Sequence, residues 1–61
     1  MNHQVVHDAM KLKHSDFLMV QEEIGILYHQ GVHETELDFR KRVLQEVEKS
    51  GKMRDLEQLL N

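Results

Sequence analysis

The sequence predicts an all-α protein: a helical hairpin of two main helices plus a short C-terminal helix, completed into a bundle by dimerisation. Three observations predict it. Proline is absent, and Leu, Met, Glu, Gln and Lys, all good helix formers, are abundant. Apolar residues recur with a period near 3.5 through the first half of the chain. Beyond Gly31, Thr35 opens a capped, charged stretch with a single apolar face.

With 61 residues, the chain is read as one small helical domain, residues 1–61. A core of this size is marginal by itself, and small chains commonly add a disulfide, a metal or a partner. Cysteine is absent, which removes disulfides and thiolate metal sites. Oligomerisation or partner binding is what remains.

Val5, Val6, Ala9, Met10 and Leu12 suit an amphipathic helix of about three turns. Ser15-Asp16 could cap a new helix. The alternative is continuity, because Met10, Phe17 and Ile24 occupy one heptad position and Val6, Val20 and Leu27 another, with Lys13 the polar intruder. The first main helix is therefore placed at about residues 4–30, bent or broken near Ser15. It carries a second apolar row, Val5, Leu12, Met19 and Ile26, widened by Leu18 and Tyr28. A helix apolar on two stripes needs cover on two sides. Either a terminal segment folds back over the second stripe, or a partner covers it. A strand over Ile24 to Tyr28 is the minor reading, since glutamates precede it and no pairing strand is evident.

Residues 30–34 form the predicted link, with Gly31 in the left-handed conformation that ends a helix. Thr35 then caps the second main helix, residues 35–49, with Asp38 three residues on and Glu36 and Asp38 facing the helix dipole. Leu37, Phe39, Val43, Leu44 and Val47 share one arc at about 100° per residue. Arg40 falls within that arc and is expected to extend its charged end to water. Glu36–Arg40, Asp38–Arg42 and Arg42–Glu46 are spaced as i,i+4 ion pairs. At Ser50-Gly51 the apolar phase jumps by about half a turn. That places a C-cap at Gly51 and a short helix over residues 53–60, carrying Met53, Leu56, Leu59 and Leu60. A continuous helix with two different faces is the competing reading.

Chemistry is sparse. The formal charge of −3 gives no general attraction to nucleic acid or anionic lipid. No apolar run approaches the roughly 20 residues of a membrane span, and no signal peptide is read, so no membrane association and a cytoplasmic location are expected. His3/His7 and His29/His33 have i,i+4 spacing. Neither pair has the third ligand that a zinc site requires, so no metal and no cofactor are expected. A pH-sensitive interface is the weaker role left to the histidines. Arg40-Lys41-Arg42, on a helix after a glycine-containing turn, suggests a DNA-binding helix-turn-helix. Leu27 stands where such a motif wants a small residue, and Glu36, Asp38, Glu46 and Glu48 flank the run. Ser15 and Ser50 read as cap or turn residues, and there is no phosphate loop or nucleophile motif. No catalytic residue, no enzymatic activity and no small-molecule substrate are expected.

The functional expectation is a small protein-binding regulator or adaptor, homodimeric, that docks an apolar helical face on a partner protein. Its interface residues would be Phe17, Met19, Val20, Ile24, Ile26, Leu27 and Tyr28. One alternative is a DNA-binding helix-turn-helix dimer using Arg40-Lys41-Arg42. Another is a structural or chaperone-like subunit of a helical assembly.

Overall fold

Glycine does end the first half of the chain, but the glycine is Gly25 rather than Gly31. In a computed structural model, which describes residues 3–61, four helices follow one another: α1 (His3–Met10), α2 (His14–Ile24), α3 (Glu36–Lys49) and α4 (Met53–Leu60). No strand occurs among the described residues. The chain is all-α, but it is a four-helix globule rather than a hairpin. The expected domain, residues 1–61, includes Met1 and Asn2, which lie outside the described residues.

The expected helix over residues 4–30 is cut twice. After Met10 the backbone tightens, with Lys11 N–H donating to the Asp8 carbonyl (3.2 Å) and Leu12 N–H to the Ala9 carbonyl (3.3 Å). Lys13 is then extended (φ −60°, ψ 154°) and starts α2 without a side-chain cap. Ser15 and Asp16 therefore lie in the first turn of α2, not before it. The second cut is at Gly25, whose φ of 76° and ψ of 24° are left-handed. Gly25 N–H donates to the Glu22 carbonyl (3.3 Å), and Ile26 N–H reaches back to Gln21 (3.0 Å). That pair of bonds is the Schellman arrangement, which a residue with a Cβ enters only under strain. Gly31 has no positive φ.

The same device closes α3. Gly51, at φ 71°, lets Gly51 N–H bond Glu48 (3.1 Å) and Lys52 N–H bond Val47 (2.9 Å). The start of α3 is held by Thr35 Oγ1, which accepts from Asp38 N–H at 3.1 Å. The turn at Gly51 redirects the chain, and this accounts for the phase jump in the apolar pattern.

α4 packs on each of the other three helices. The core joins Val5 and Ala9 of α1, Phe17 and Ile24 of α2, Phe39, Val43, Leu44 and Val47 of α3, and Leu56 of α4, with Ile26 from the connection. At its centre the Phe17 and Phe39 rings meet edge to face, 5.9 Å apart, a favourable aromatic geometry. Leu37 is an exception to the predicted arc, half exposed at 51%. α4 packs on both pieces of the two-striped first segment, α1 and α2, so much of its apolar surface is satisfied within the chain.

Candidate functional site

Residues 26–35 form a strap between α2 and α3, and the chain spends polar groups to hold it in place. The Gln21 side chain is 2% exposed. Its Nε2 donates to the Ile26 carbonyl (2.9 Å) and to the Tyr28 carbonyl (3.2 Å). Its Oε1 is buried and accepts no hydrogen bond among the described residues. A buried amide that satisfies the strap at one end while its own oxygen goes unmet is a costly fixture.

A second clamp comes from α3. Arg42 Nε donates to Glu34 Oε2 (2.9 Å) and Nη2 to Glu34 Oε1 (2.8 Å), a two-pronged pair. Arg42 Nη2 also donates to the His29 carbonyl (2.7 Å), and the guanidinium lies 5.2 Å from the Tyr28 ring centre. Glu34 Oε1 accepts the Gly31 N–H at 2.9 Å, and Gln30 Nε2 donates to the Glu34 carbonyl at 2.8 Å. The Arg42 and Gly31 donors hold the Glu34 carboxyl down at about 2. Glu34 in turn raises Arg42. The Tyr28 hydroxyl hydrogen-bonds Glu46, which raises the phenol and lowers the carboxyl.

These clamps set the alternation of the strap. Ile26 is buried at 6%, Leu27 is 64% exposed and Tyr28 is half-buried. Residues 26–30 belong to no helix or strand, and burying one side chain while turning the next outward is the alternation that extended backbone shows. Fixing Ile26 inward and the Ile26 and Tyr28 carbonyls on Gln21 therefore directs Leu27 outward. Leu18 of α2, 41% exposed, lines the same recess as Leu27, Tyr28 and Gln21, with Glu22 and His29 beside them. Round the helix, Met19, 62% exposed, borders a second shallow recess with Leu12, Val20, Leu59 and Leu60.

The seven expected interface residues are thus divided. Phe17, Ile24 and Ile26 are core residues, with Phe17 against Phe39 of α3 and α4 packed on α2 where a partner was expected. Val20 and Tyr28 are half-buried against that core. Met19 and Leu27 face outward. Leu18 and Leu59 join them at the surface, and Leu18 had been read only as widening a stripe.

The basic run is divided too. Arg40 is 5% exposed instead of reaching water. Its Nη1 donates to the carbonyls of Ala9 (3.2 Å) and Met10 (3.1 Å), closing the end of α1. Its Nε donates to Glu36 at 2.8 Å, and the guanidinium sits 4.8 Å above the Phe17 ring. Glu36 also meets His14 Nδ1 at 3.0 Å; Arg40 first and His14 second hold its carboxyl low. Of the three expected helix ion pairs only Glu36–Arg40 forms, since Arg42 turns to Glu34 and Glu46 to Tyr28 and Ser50. Lys41 is left as the one cation of the run with no polar partner among the described residues. The connection from α2 to α3 spans residues 25–35, far more than the turn of about three or four residues in a helix-turn-helix.

Lys52 parallels Arg40: its Nζ donates to the Ile24 carbonyl (2.7 Å) at the end of α2. None of these three bonds has a local sequence signal, because the partners are 31, 30 and 28 residues apart. Among the described residues no group of three or more His, Asp or Glu side chains is placed to hold a metal. No helix among them is long and apolar enough to cross a membrane. Compared with protein-family models, curated proteins and solved structures, the chain matches none.

Proposed function

We propose that the chain is a small protein-binding regulator or adaptor that docks an apolar face on a partner protein, and that it works as a homodimer. The docking face is the recess of Leu18, Leu27 and Tyr28 on α2 and the strap. The observation that carries this reading is the fixed outward setting of Leu27. Exposed leucines are ordinary on protein surfaces. A leucine held out by a buried glutamine and an arginine clamp is different, since the ordering entropy of the strap is already spent in the free chain. A partner with a complementary apolar side chain would meet a preformed surface, and the half-buried Tyr28 ring beside it is a residue type enriched at binding hot spots.

The test is affinity capture from the native host with the wild-type chain and with a Leu18→Asp/Leu27→Asp variant, each checked for unchanged helical circular dichroism. Both substitutions are at exposed positions and should leave the fold intact. A protein retained by the wild type and lost by the variant is the expected result. Identical retention by the two, or no specific retention by either, would overturn the docking face.

A further inference from the structure

On the side of the molecule formed by α1 and α3 lies a groove of about 440 Å³. Its apolar wall is Val6, Met10 and Leu44, and its polar edge is His3, His7 and Lys41. No acid lines it. Asp8, next to His7 in sequence, accepts from Gln4 Nε2 at 2.9 Å and also lies 4.0 Å from His7 Nδ1, outside the groove lining. Lys41 is exposed, and Leu37 and Gln45 stand one turn to either side of it on α3. Asp38 stands three residues before it but makes no ion pair with it, so Lys41, unlike Arg40, is unpaired among the described residues.

The outer ridge of α2 has the opposite character. Met19 projects from it, 62% exposed, and the recesses along it are lined by Asp16, Glu22 and Glu23 with no cation. All three acids are exposed and make no ion pair among the described residues.

We propose that the groove between α1 and α3 receives the Met19 ridge of a second copy of this chain. This deepens the homodimer in the functional reading by naming its two unlike surfaces, and it uses neither leucine of the Leu18–Leu27 recess, which the ridge borders at Glu22. The two surfaces match in kind. A flexible, polarisable methionine side chain adapts to an irregular apolar recess. Around it, Asp16, Glu22 and Glu23 oppose Lys41 and the imidazole N–H donors of His3 and His7. Such complementarity chiefly selects the partner and the orientation. It also has to act locally, because two copies of net charge −3 repel one another at distance. The contact joins different patches, so two such contacts close a twofold dimer when groove and ridge can be met reciprocally, and one contact per copy builds a ring or an open chain when they cannot.

The experiment is sedimentation or light-scattering mass measurement over a concentration series, with Lys41→Glu and Met19→Asp variants and their equimolar mixture. Both residues are exposed, so each variant should keep its helical spectrum and melting transition. The wild-type chain should exceed its 7.3 kDa monomer mass as concentration rises, and should do so less at about 0.5 M salt than at about 0.05 M. Each variant alone should stay monomeric. The mixture should recover part of the association, because the intact ridge of Lys41→Glu meets the intact groove of Met19→Asp while the two altered surfaces stay unmatched. A monomeric wild type, or a Lys41→Glu or Met19→Asp variant that associates like the wild type, would each overturn the proposal. None of these results touches the docking face, which fails only if capture is indifferent to Leu18 and Leu27.

Discussion

Arg40 and Arg42 stand two residues apart on α3 and anchor two different kinds of seam. Arg40 is buried, bonded to the open carbonyls of α1 and stacked on Phe17. Arg42 is 44% exposed in its side chain and clips the strap through Glu34 and His29. The first seam joins helices through the core. The second pins a connection at the surface. The lesson is that a run of like charges need not act as one patch: helical geometry sends neighbours to different faces, and each is absorbed by what it meets there. Lys41, between them, has no polar partner among the described residues.

The largest difference between the seams should appear on truncation. Arg40→Ala strips two carbonyls at the end of α1 of their charged donor, leaves Glu36 short of a partner and removes packing from the Phe17 ring. A loss of about 2–4 kcal/mol is expected in denaturant unfolding. That is a large share of the roughly 3–9 kcal/mol typical of a chain of this length. Arg42→Ala should cost much less, as the loss of an exposed ion pair does. If the two variants unfold at the same denaturant concentration, the distinction between core seam and surface seam is wrong.

A smaller effect separates the two glycines that bracket the strap's anchor points. Gly25→Ala forces a Cβ into the left-handed region at φ 76°, beside Lys52 Nζ at 3.4 Å. It should cost about 1–2 kcal/mol. Gly31→Ala, at negative or extended φ, should cost far less, though its Cβ would also approach Glu34 at 3.4 Å. Paired thermal melts of the two variants test the order. A larger loss at Gly31 would return the hinge to where the sequence pattern first placed it.

That misplacement has a physical origin. Gly25 lies inside an unbroken heptad pattern, with Ile24 before it and Ile26 and Leu27 after, so apolar periodicity ran through the stop. A lone glycine in a helix interior costs only about 1 kcal/mol relative to alanine, too little to outweigh such a pattern by inspection. The available signal was the Ile-Leu-Tyr stretch that follows it, which suits extended backbone better than helix. α3 was legible because its determinants are local: the Thr35 cap, the first-turn acids and one apolar arc. The roles of Phe17, Ile24 and Ile26 were not, because periodicity shows that a stripe is covered and not what covers it. α4, which packs on α2, comes only after α3 along the chain. The helix-closing bonds of Arg40 and Lys52 were hidden for the same reason.

The smallest effect tests whether the strap clamp is electrostatic. Glu34 is held at about 2, against an ordinary value of 4.5, and Glu36 and Glu46 are also lowered. A carboxyl depressed by folding stabilises the native state while it is ionised, above about 4.5. That contribution fades as pH falls from there towards about 2, because the unfolded chain takes up the proton first. The melting temperature of the wild-type chain should therefore decline steadily between pH 5 and pH 2. Glu34→Gln keeps the shape of the side chain but cannot ionise. It should start lower at pH 7 and lose less over the same window, converging on the wild type at the acid end. Hydrogen exchange at the amide of Gly31, which Glu34 Oε1 accepts, should speed up in the variant while amides in the middle of α3 stay protected. Parallel pH profiles for the two chains would mean that Gln21 alone holds the strap and that the Arg42 clip is incidental.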